Sequence, residues 1–324
     1  MNKIITPGEN IMKLGGSELV VSRIGIGAMT WGDTPMSPRF NPARFAYGPA
    51  EGKEELRKVI EVSLSNGVSF IDTAAMYGRG ASELYVGELT EGMEFTVATK
   101  FPSSLFPKTK DLQKDLENSL KRLKRNSIDL YQIHYPSPMF SIPKVLNLMA
   151  DAVKEGKIKA VGVSNFSANQ MREAYDLLEK RGVPLASNQV EYSLLHREPE
   201  KNGILNACHE LNITLIAYMP LRMGALTGKY MGNIVPKGFR KYMSPFRKKD
   251  LPRLAQVITL LQEIGNRYGK SASQVALRWL IQKGNVLPIP GVKNSEQANE
   301  NAGALSFILT SAEEDALNLA AMKW

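Results

Sequence analysis

Residues 160–190 read AVGVSNFSANQMREAYDLLEKRGVPLASNQV, which spells a strand, a helix and the next strand. Ala160–Ser164 is a short β-branched apolar run, as expected where both faces of a strand are covered. Ser167 followed by Gln170 forms a capping box, each side chain placed to satisfy a backbone N–H of the other at the start of a helix. Behind it Met171, Ala174, Tyr175 and Leu178 recur at helical spacing, and Leu185–Val190 is apolar again.

Outward from this βα unit the same alternation runs through the chain. Further strands are expected at Ile24–Met29, Val68–Asp72, Thr96–Lys100, Leu130–His134, Thr214–Tyr218 and Val286–Ile289. That makes eight strands, starting on average roughly 37 residues apart, the size of one βα unit. Between them, Lys53–Asn66 places Leu56, Val59, Ile60 and Leu64 on one face, and Gly67 can close the helix in a left-handed conformation. Ser141 caps a helix with Pro143 in its first turn and Val145, Leu148, Met149 and Ala152 inward, ending at Gly156. Thr310 with Glu313 repeats the capping box. Eight alternating units predict an α/β fold, a (β/α)8 TIM barrel, with residues 1–324 as one domain. A doubly wound open sheet is the alternative, but no G-x-G-x-x-G opens the first helix. Three segments fall outside the repeat: 11–21, with Gly15-Gly16-Ser17 between short apolar runs, reads as an N-terminal hairpin, and 31–52 and 222–250 read as long loops at the strands' C-terminal rim.

Composition narrows the function. Apolar residues at 43% and charged residues at 23% are globular proportions. The single cysteine, Cys208, excludes an internal disulfide and a cysteine-built metal site, and predicts a reducing, cytoplasmic setting. No apolar run approaches the ~18 residues of a membrane span, so no membrane partner is expected. The net charge is +9, and the stretch from Gly228 to Arg253 holds +7 of it, with Lys229, Lys237, Arg240, Lys241, Arg247, Lys248, Lys249 and Arg253 against Asp250 alone. Tyr230, Phe239, Tyr242 and Phe246 are interleaved there, as suits a loop covering a phosphate-bearing ligand. No helix-turn-helix or RNP-type signature accompanies the charge, and nucleic acid is not the expected partner.

In a barrel, chemistry sits at the C-terminal strand ends. Those ends carry Asp72, Lys100, His134, Ser164-Asn165, Gln189 and Tyr218, although the runs leading to them are apolar. A buried Asp and a buried Lys each cost several kcal/mol unless paired, so a shared rim implies that they pair. Singly, each has a plain structural explanation, such as a helix cap; jointly they read as a site. His196, His209 and Cys208 read as loop and packing residues, and three dispersed histidines make no metal site.

The stretch Asp72-Thr73-Ala74-Ala75-Met76-Tyr77-Gly78-Arg79-Gly80-Ala81-Ser82-Glu83 resembles the first signature of the aldo-keto reductases. Ala98-Thr99-Lys100, Asp129–His134, Lys157–Phe166, Asn188-Gln189, Ala217–Leu221 and Pro288–Gly291 resemble further segments of that family, in the family's order, from about Ile11 to Asn301. The resemblance implies NADPH-dependent reduction of an aldehyde or ketone without a metal. It implies Tyr77 as general acid, Lys100 tuning it, Asp72 holding Lys100, and His134 orienting the carbonyl oxygen. It assigns Ser164, Asn165 and Gln189 to the nicotinamide carboxamide and Tyr218 to the ring. The segment Pro220, Leu221, Gly224, Leu226, Gly228 and Lys229 would wrap the pyrophosphate. Gly291, Lys293, Asn294, Gln297, Glu300 and Asn301 would hold the adenosine end, with Lys293 on the 2′-phosphate. Gln297 stands where many relatives carry arginine, and Tyr135 where many carry tryptophan. Met29, Trp31, Phe101, Tyr135 and Met223 are the expected walls of a pocket for a small-molecule carbonyl substrate. A monomer is the expectation from the family. Two alternatives share these residues: an alcohol or sugar dehydrogenase running in reverse, and a non-catalytic NADPH-sensing subunit like the channel-associated members.

Overall fold

The computed structural model describes residues 10–32, 48, 50–102, 112–138, 140–231, 234, 236 and 238–324. Most of the expected 31–52 loop, and Lys237 and the Phe239 side chain of the basic loop, lie outside the described residues. The chain opens with an antiparallel hairpin, β1 (Ile11–Lys13) and β2 (Val20–Ser22). Its turn brings Gly15, at φ +54, so close to the barrel floor that a Cβ would sit 2.4 Å from the Ala186 carbonyl oxygen. Only glycine tolerates both that φ and that approach.

The barrel follows: β3 (Gly25–Gly27), α1 (Lys53–Ser65), β4 (Phe70–Asp72), α2 (Ala81–Leu89), β5 (Thr96–Phe101), α3 (Leu112–Leu123), β6 (Ile128–Ile133), α4 (Ile142–Lys154), β7 (Ile158–Ser164), α5 (Ala168–Glu179) and β8 (Leu185–Glu191). Two short helices, α6 (Glu198–Lys201) and α7 (Ile204–Glu210), lead to β9 (Thr214–Tyr218). The return to β10 (Val286–Pro288) carries two helices, α8 (Leu251–Tyr268) and α9 (Ala272–Ile281), and α10 (Ser295–Ala302) and α11 (Ser311–Ala320) complete the chain. Strands β3 to β10 pair in chain order, all parallel. The ends meet where Gly27 N–H donates to the Pro290 carbonyl at 2.9 Å and Gly27 bridges Gly291. The fold is a (β/α)8 barrel.

The expected caps all form: the Ser141 hydroxyl accepts from Lys144 N, and the capping boxes at Ser167 and Thr310 close in both directions. A third box at Ser271/Gln274 opens α9. Gly67 leaves α1 at φ +74. Two strands begin earlier than the apolar runs suggest, β6 at Ile128 and β7 at Ile158. Asp129 obscures the first of these because a charged residue sits inside a covered strand. Its carboxylate accepts from Val97 N at 2.8 Å and pairs with Lys159 at 2.7 Å, so it is satisfied there.

Alternation along the strands sorts the inward side chains into two layers. The lower is apolar: Phe70, Ala98, Leu130, Ala160, Ala186, Ile216 and Leu287, plugged from below by Met12, Leu14 and Val21 of the hairpin. Two residues further along β4 to β7 come Asp72, Lys100, Gln132 and Gly162, and past a register shift between β7 and β8 Ser187 and Gln189 join them. The larger core lies outside, between strands and helices.

Candidate active site

The polar layer is where the barrel opens. Lys100, at the end of β5, is fully buried. Its ammonium has three N–H groups and three acceptors: Asp72 Oδ2 at 2.5 Å, the Thr73 carbonyl at 2.9 Å and Tyr77 Oη at 3.5 Å. Burial pulls the Lys100 pKa below the ordinary lysine value, and the Asp72 charge pulls it back up. A phenol oxygen that accepts from Lys100 keeps its own proton free to point elsewhere. Burial first, and the Asp72 charge second, hold the Tyr77 pKa well above that of a free phenol, so the proton stays on.

His134 follows β6, its ring edge-on to Tyr77 with centroids 5.7 Å apart and stacked on Tyr135 at 4.8 Å. Burial, and next the Lys100 charge, push its pKa down to about 3. It is therefore a neutral imidazole, able to hydrogen-bond an oxygen but not to act as a standing acid. Its Nδ1 is buried with no partner among the described residues.

Around these groups runs a cleft lined by Met29, Tyr77, His134, Tyr135, Ser164, Asn165, Gln189, Tyr218, Pro220, Leu221, Met223, Gly224, Lys229, Gly291, Lys293, Gln297, Glu300 and Asn301, all singled out from sequence. Ser164, Asn165, Gln189 and Tyr218 interlock at the strand ends. The Ser164 hydroxyl donates to the Gln189 carbonyl at 2.8 Å, Asn165 Nδ2 donates to the His134 carbonyl at 3.1 Å, and Tyr218 Oη donates to Asn165 Oδ1 at 3.0 Å. Glu300 accepts from Ser273 Oγ at 2.9 Å and also from the Ser271 hydroxyl.

Besides Lys100, which is buried beneath the cleft, five expected site residues lie outside the lining. Trp31 is buried, donating from Nε1 to the Val292 carbonyl at 2.7 Å, and Phe101 packs edge-on to Phe140 in the core. Leu226 is fully buried, and Gly228 faces Gln262 and Ile258 of α8. Asn294 caps α10 and donates to Glu51 at 2.7 Å. Conversely, Thr30, Gln132, Arg240 and Ser273 were not singled out. Thr30, Arg240 and Ser273 line the cleft, and Gln132 sits beneath it on Asp72.

The cleft's chemistry fits a phosphorylated dinucleotide. Lys229, Arg240 and Lys293 converge on one end, and burial, then repulsion by the other two cations, lowers the Lys293 pKa. Thr30 Oγ1 and Asn301 Nδ2 are buried in the lining without partners among the described residues, as expected of groups that await a ligand. No group of three or more His, Cys, Asp or Glu among the described residues is arranged to hold a metal.

Comparison with known proteins agrees. Residues 23–320 match the sequence pattern of the Aldo/keto reductase family. The chloroplastic pyridoxal reductase of Arabidopsis thaliana is 35% identical over 319 residues, covering 94% of this chain and 84% of the relative. An NADP(+) aldo-keto reductase of Schizosaccharomyces pombe is 34% identical over 284 residues, covering 82% of each. Among solved structures, the glycerol dehydrogenase AKR11B4 from Gluconobacter oxydans superposes with a TM-score of 0.83 at 27% identity, over 97% of this chain and 96% of that one.

Proposed function

The chain belongs to the aldo/keto reductase family and is an NADP-dependent oxidoreductase acting on carbonyl groups; within that class we propose that it reduces a compact aromatic aldehyde to the alcohol, with Tyr77 giving the proton. The observation that carries the reaction is the relay Asp72–Lys100–Tyr77 beside a neutral His134.

Bound in the cleft, NADPH supplies a hydride to the carbonyl carbon. Lys229, Arg240 and Lys293 would hold its phosphates, Ser164, Asn165 and Gln189 its carboxamide, and Glu300 and Asn301 its adenine end. The chain's own part is to receive the oxygen. His134 offers it a hydrogen bond, and Tyr77 donates its proton as negative charge develops. Lys100 then faces the phenolate left behind and stabilises it, while Asp72 holds the ammonium in place. Because burial keeps Tyr77 protonated, the resting site holds the proton that reduction consumes.

The aromatic class rests on Tyr135. It lines the cleft beside His134, stacked on it within 9° of parallel, and remains 46% exposed. A flat aldehyde can pack against its exposed part while presenting its carbonyl to Tyr77. Pyridoxal is the first compound to try, because a relative at 35% identity bears that name. The test is loss of NADPH absorbance with pyridoxal, benzaldehyde and an aliphatic aldehyde, in wild type and Tyr77→Phe. Aromatic aldehydes should turn over best, and the variant should lose about 10²–10⁴-fold in kcat while still binding NADPH. Equal turnover by the Tyr77→Phe protein would refute the donor, and preference for the aliphatic compound would refute the substrate class.

A further inference from the structure

Asp72 has more partners than the proton relay needs. Its Oδ2 takes Lys100 at 2.5 Å, and its Oδ1 takes Gln189 Nε2 at 2.8 Å and Gln132 Nε2 at 3.2 Å. A carboxylate only accepts, so both glutamines must present their NH2 groups to it. The remaining N–H of Gln189 lies 3.5 Å from Gln132 Oε1, which joins the two amides over the carboxylate. Gln132 is fully buried and is the register partner of Lys100.

The barrel wall is thinned to admit this side chain. On the other side Gln132 pairs in register with Gly162, where a Cβ would lie 2.9 Å from Gln132 Cγ and 2.4 Å from Ser187 Oγ. Any larger residue would displace the amide.

We propose that Gln132 is a positioning residue for proton transfer: it fixes the Asp72 carboxylate, and through it aims the Lys100 ammonium at Tyr77. The inference rests on the reductase reading above. The Lys100–Tyr77 contact is the longest of the three that Lys100 makes, so it is the first lost if Asp72 turns. With one amide gone, Oδ1 keeps a single donor from Gln189 and the carboxylate can rotate. The amide's positive end also opposes the Asp72 field at Tyr77. Among the described residues, the titratable groups acting on Lys100 are Asp72 and Tyr77 from β4 and its turn, His134 and Tyr135 after β6, and Glu83 on α2. Of these, Gln132 hydrogen-bonds Asp72.

The experiment compares wild type, Gln132→Met and Gln132→Glu as NADPH-loaded full chains, measuring kcat and KM for the best aldehyde from acid to alkaline pH. Met fills the same space without a donor, and its kcat should fall about 10- to 100-fold, the worth of one hydrogen bond to a charged group, with the NADPH KM unchanged. A glutamic acid donates to Asp72 while protonated and repels it once ionised. The Gln132→Glu enzyme should therefore work near the wild-type rate at acid pH and lose activity at a lower pH than wild type. Should the Met protein fold poorly, the acid-side activity of Gln132→Glu still reports on folded enzyme. A purely structural role would lower the melting temperature and leave the pH profile's shape alone. Wild-type kcat and profile in both variants would overturn the proposal while leaving the reductase standing; an inactive wild type would overturn both.

Discussion

Asp72→Asn tests the relay at its most constrained point. Lys100 is fully buried, and Asp72 Oδ2 is its one charged partner within hydrogen-bond reach among the described residues. The substitution keeps the shape but leaves one oxygen for three donors, namely Lys100, Gln132 and Gln189. Either the ammonium or the two amides must then face an NH2. Breaking a buried pair by removing one partner costs about 3–5 kcal/mol. At about 2.1 cal/mol/K per residue of unfolding entropy, a chain of this length loses about 1.5 °C per kcal/mol, so the melting temperature should fall by about 4–7 °C. The pH dependence distinguishes this cause from ordinary misfit. Folding already lowers the Lys100 pKa, through burial, and loss of the Asp72 charge lowers it further. The unfolded chain then binds the lysine proton more tightly than the folded one, so stability rises with pH until the unfolded lysine also deprotonates. The melting deficit should be largest at neutral pH and shrink toward pH ~10.5, the ordinary lysine value. Scanning fluorimetry across that range measures it, alongside a kcat expected to fall about 10²–10⁴-fold. A deficit that does not change with pH, or a variant of full activity, would refute the pairing argument.

His134 and the cationic end of the cleft give two further tests. The folded His134 pKa near 3 lies below the unfolded value of 6.5, so the unfolded chain takes up a proton as pH drops between them. Wild type should lose about 2 kcal/mol from this group between pH 7 and pH 5. His134→Gln should lack that component of the acid-side slope in urea titrations; parallel slopes would refute it. Lys293→Ala and Arg240→Ala should each weaken NADPH binding by about tenfold, with a smaller effect on NADH for Lys293, because on the proposed binding each would remove a charge-assisted contact to phosphate. Fluorescence titration at two salt concentrations checks this, and an equal loss for both cofactors would remove Lys293 from the 2′-phosphate.

The barrel was legible because its signals are local. Capping boxes at Ser167 and Thr310 mark helix starts by chemistry within four residues, and covered strands read as apolar runs. Asp129 hid the true start of β6 because its partners, Val97 N and Lys159, come from other strands. The strand-end residues Asp72, Lys100 and His134 stood out as polar groups closing apolar runs. Gln132 carries the same signal: it lies two residues after Leu130 and two before His134, so alternation alone turns it inward. Arg240 could not be placed this way. A basic loop offers eight cations in sequence, and only the tertiary path of residues 238–242 brings Arg240 to the cleft beside Lys229. Trp31 and Phe101 show the opposite limit, since an aromatic near a strand end fits core and pocket equally well.

The two inward layers also explain where backbone strain is kept. Among the described residues seven non-glycine positions have positive φ, and Asn165, Met219 and Met223 of them line the cleft just beyond strand ends. Each costs about 1–2 kcal/mol in an L-residue and persists only where its surroundings fix it. Asn165, at φ +61, shows how: its N–H donates to the Gln189 carbonyl at 2.9 Å, its Nδ2 to the His134 carbonyl, and its Oδ1 accepts from Tyr218. Those bonds tie the ends of β6, β8 and β9 through one residue. An extended Asn165 would break all three bonds and loosen His134 and Tyr218. The sealed apolar layer beneath supplies the rigidity against which this rim is held, and the rim converts that rigidity into fixed positions for the groups that meet the substrate.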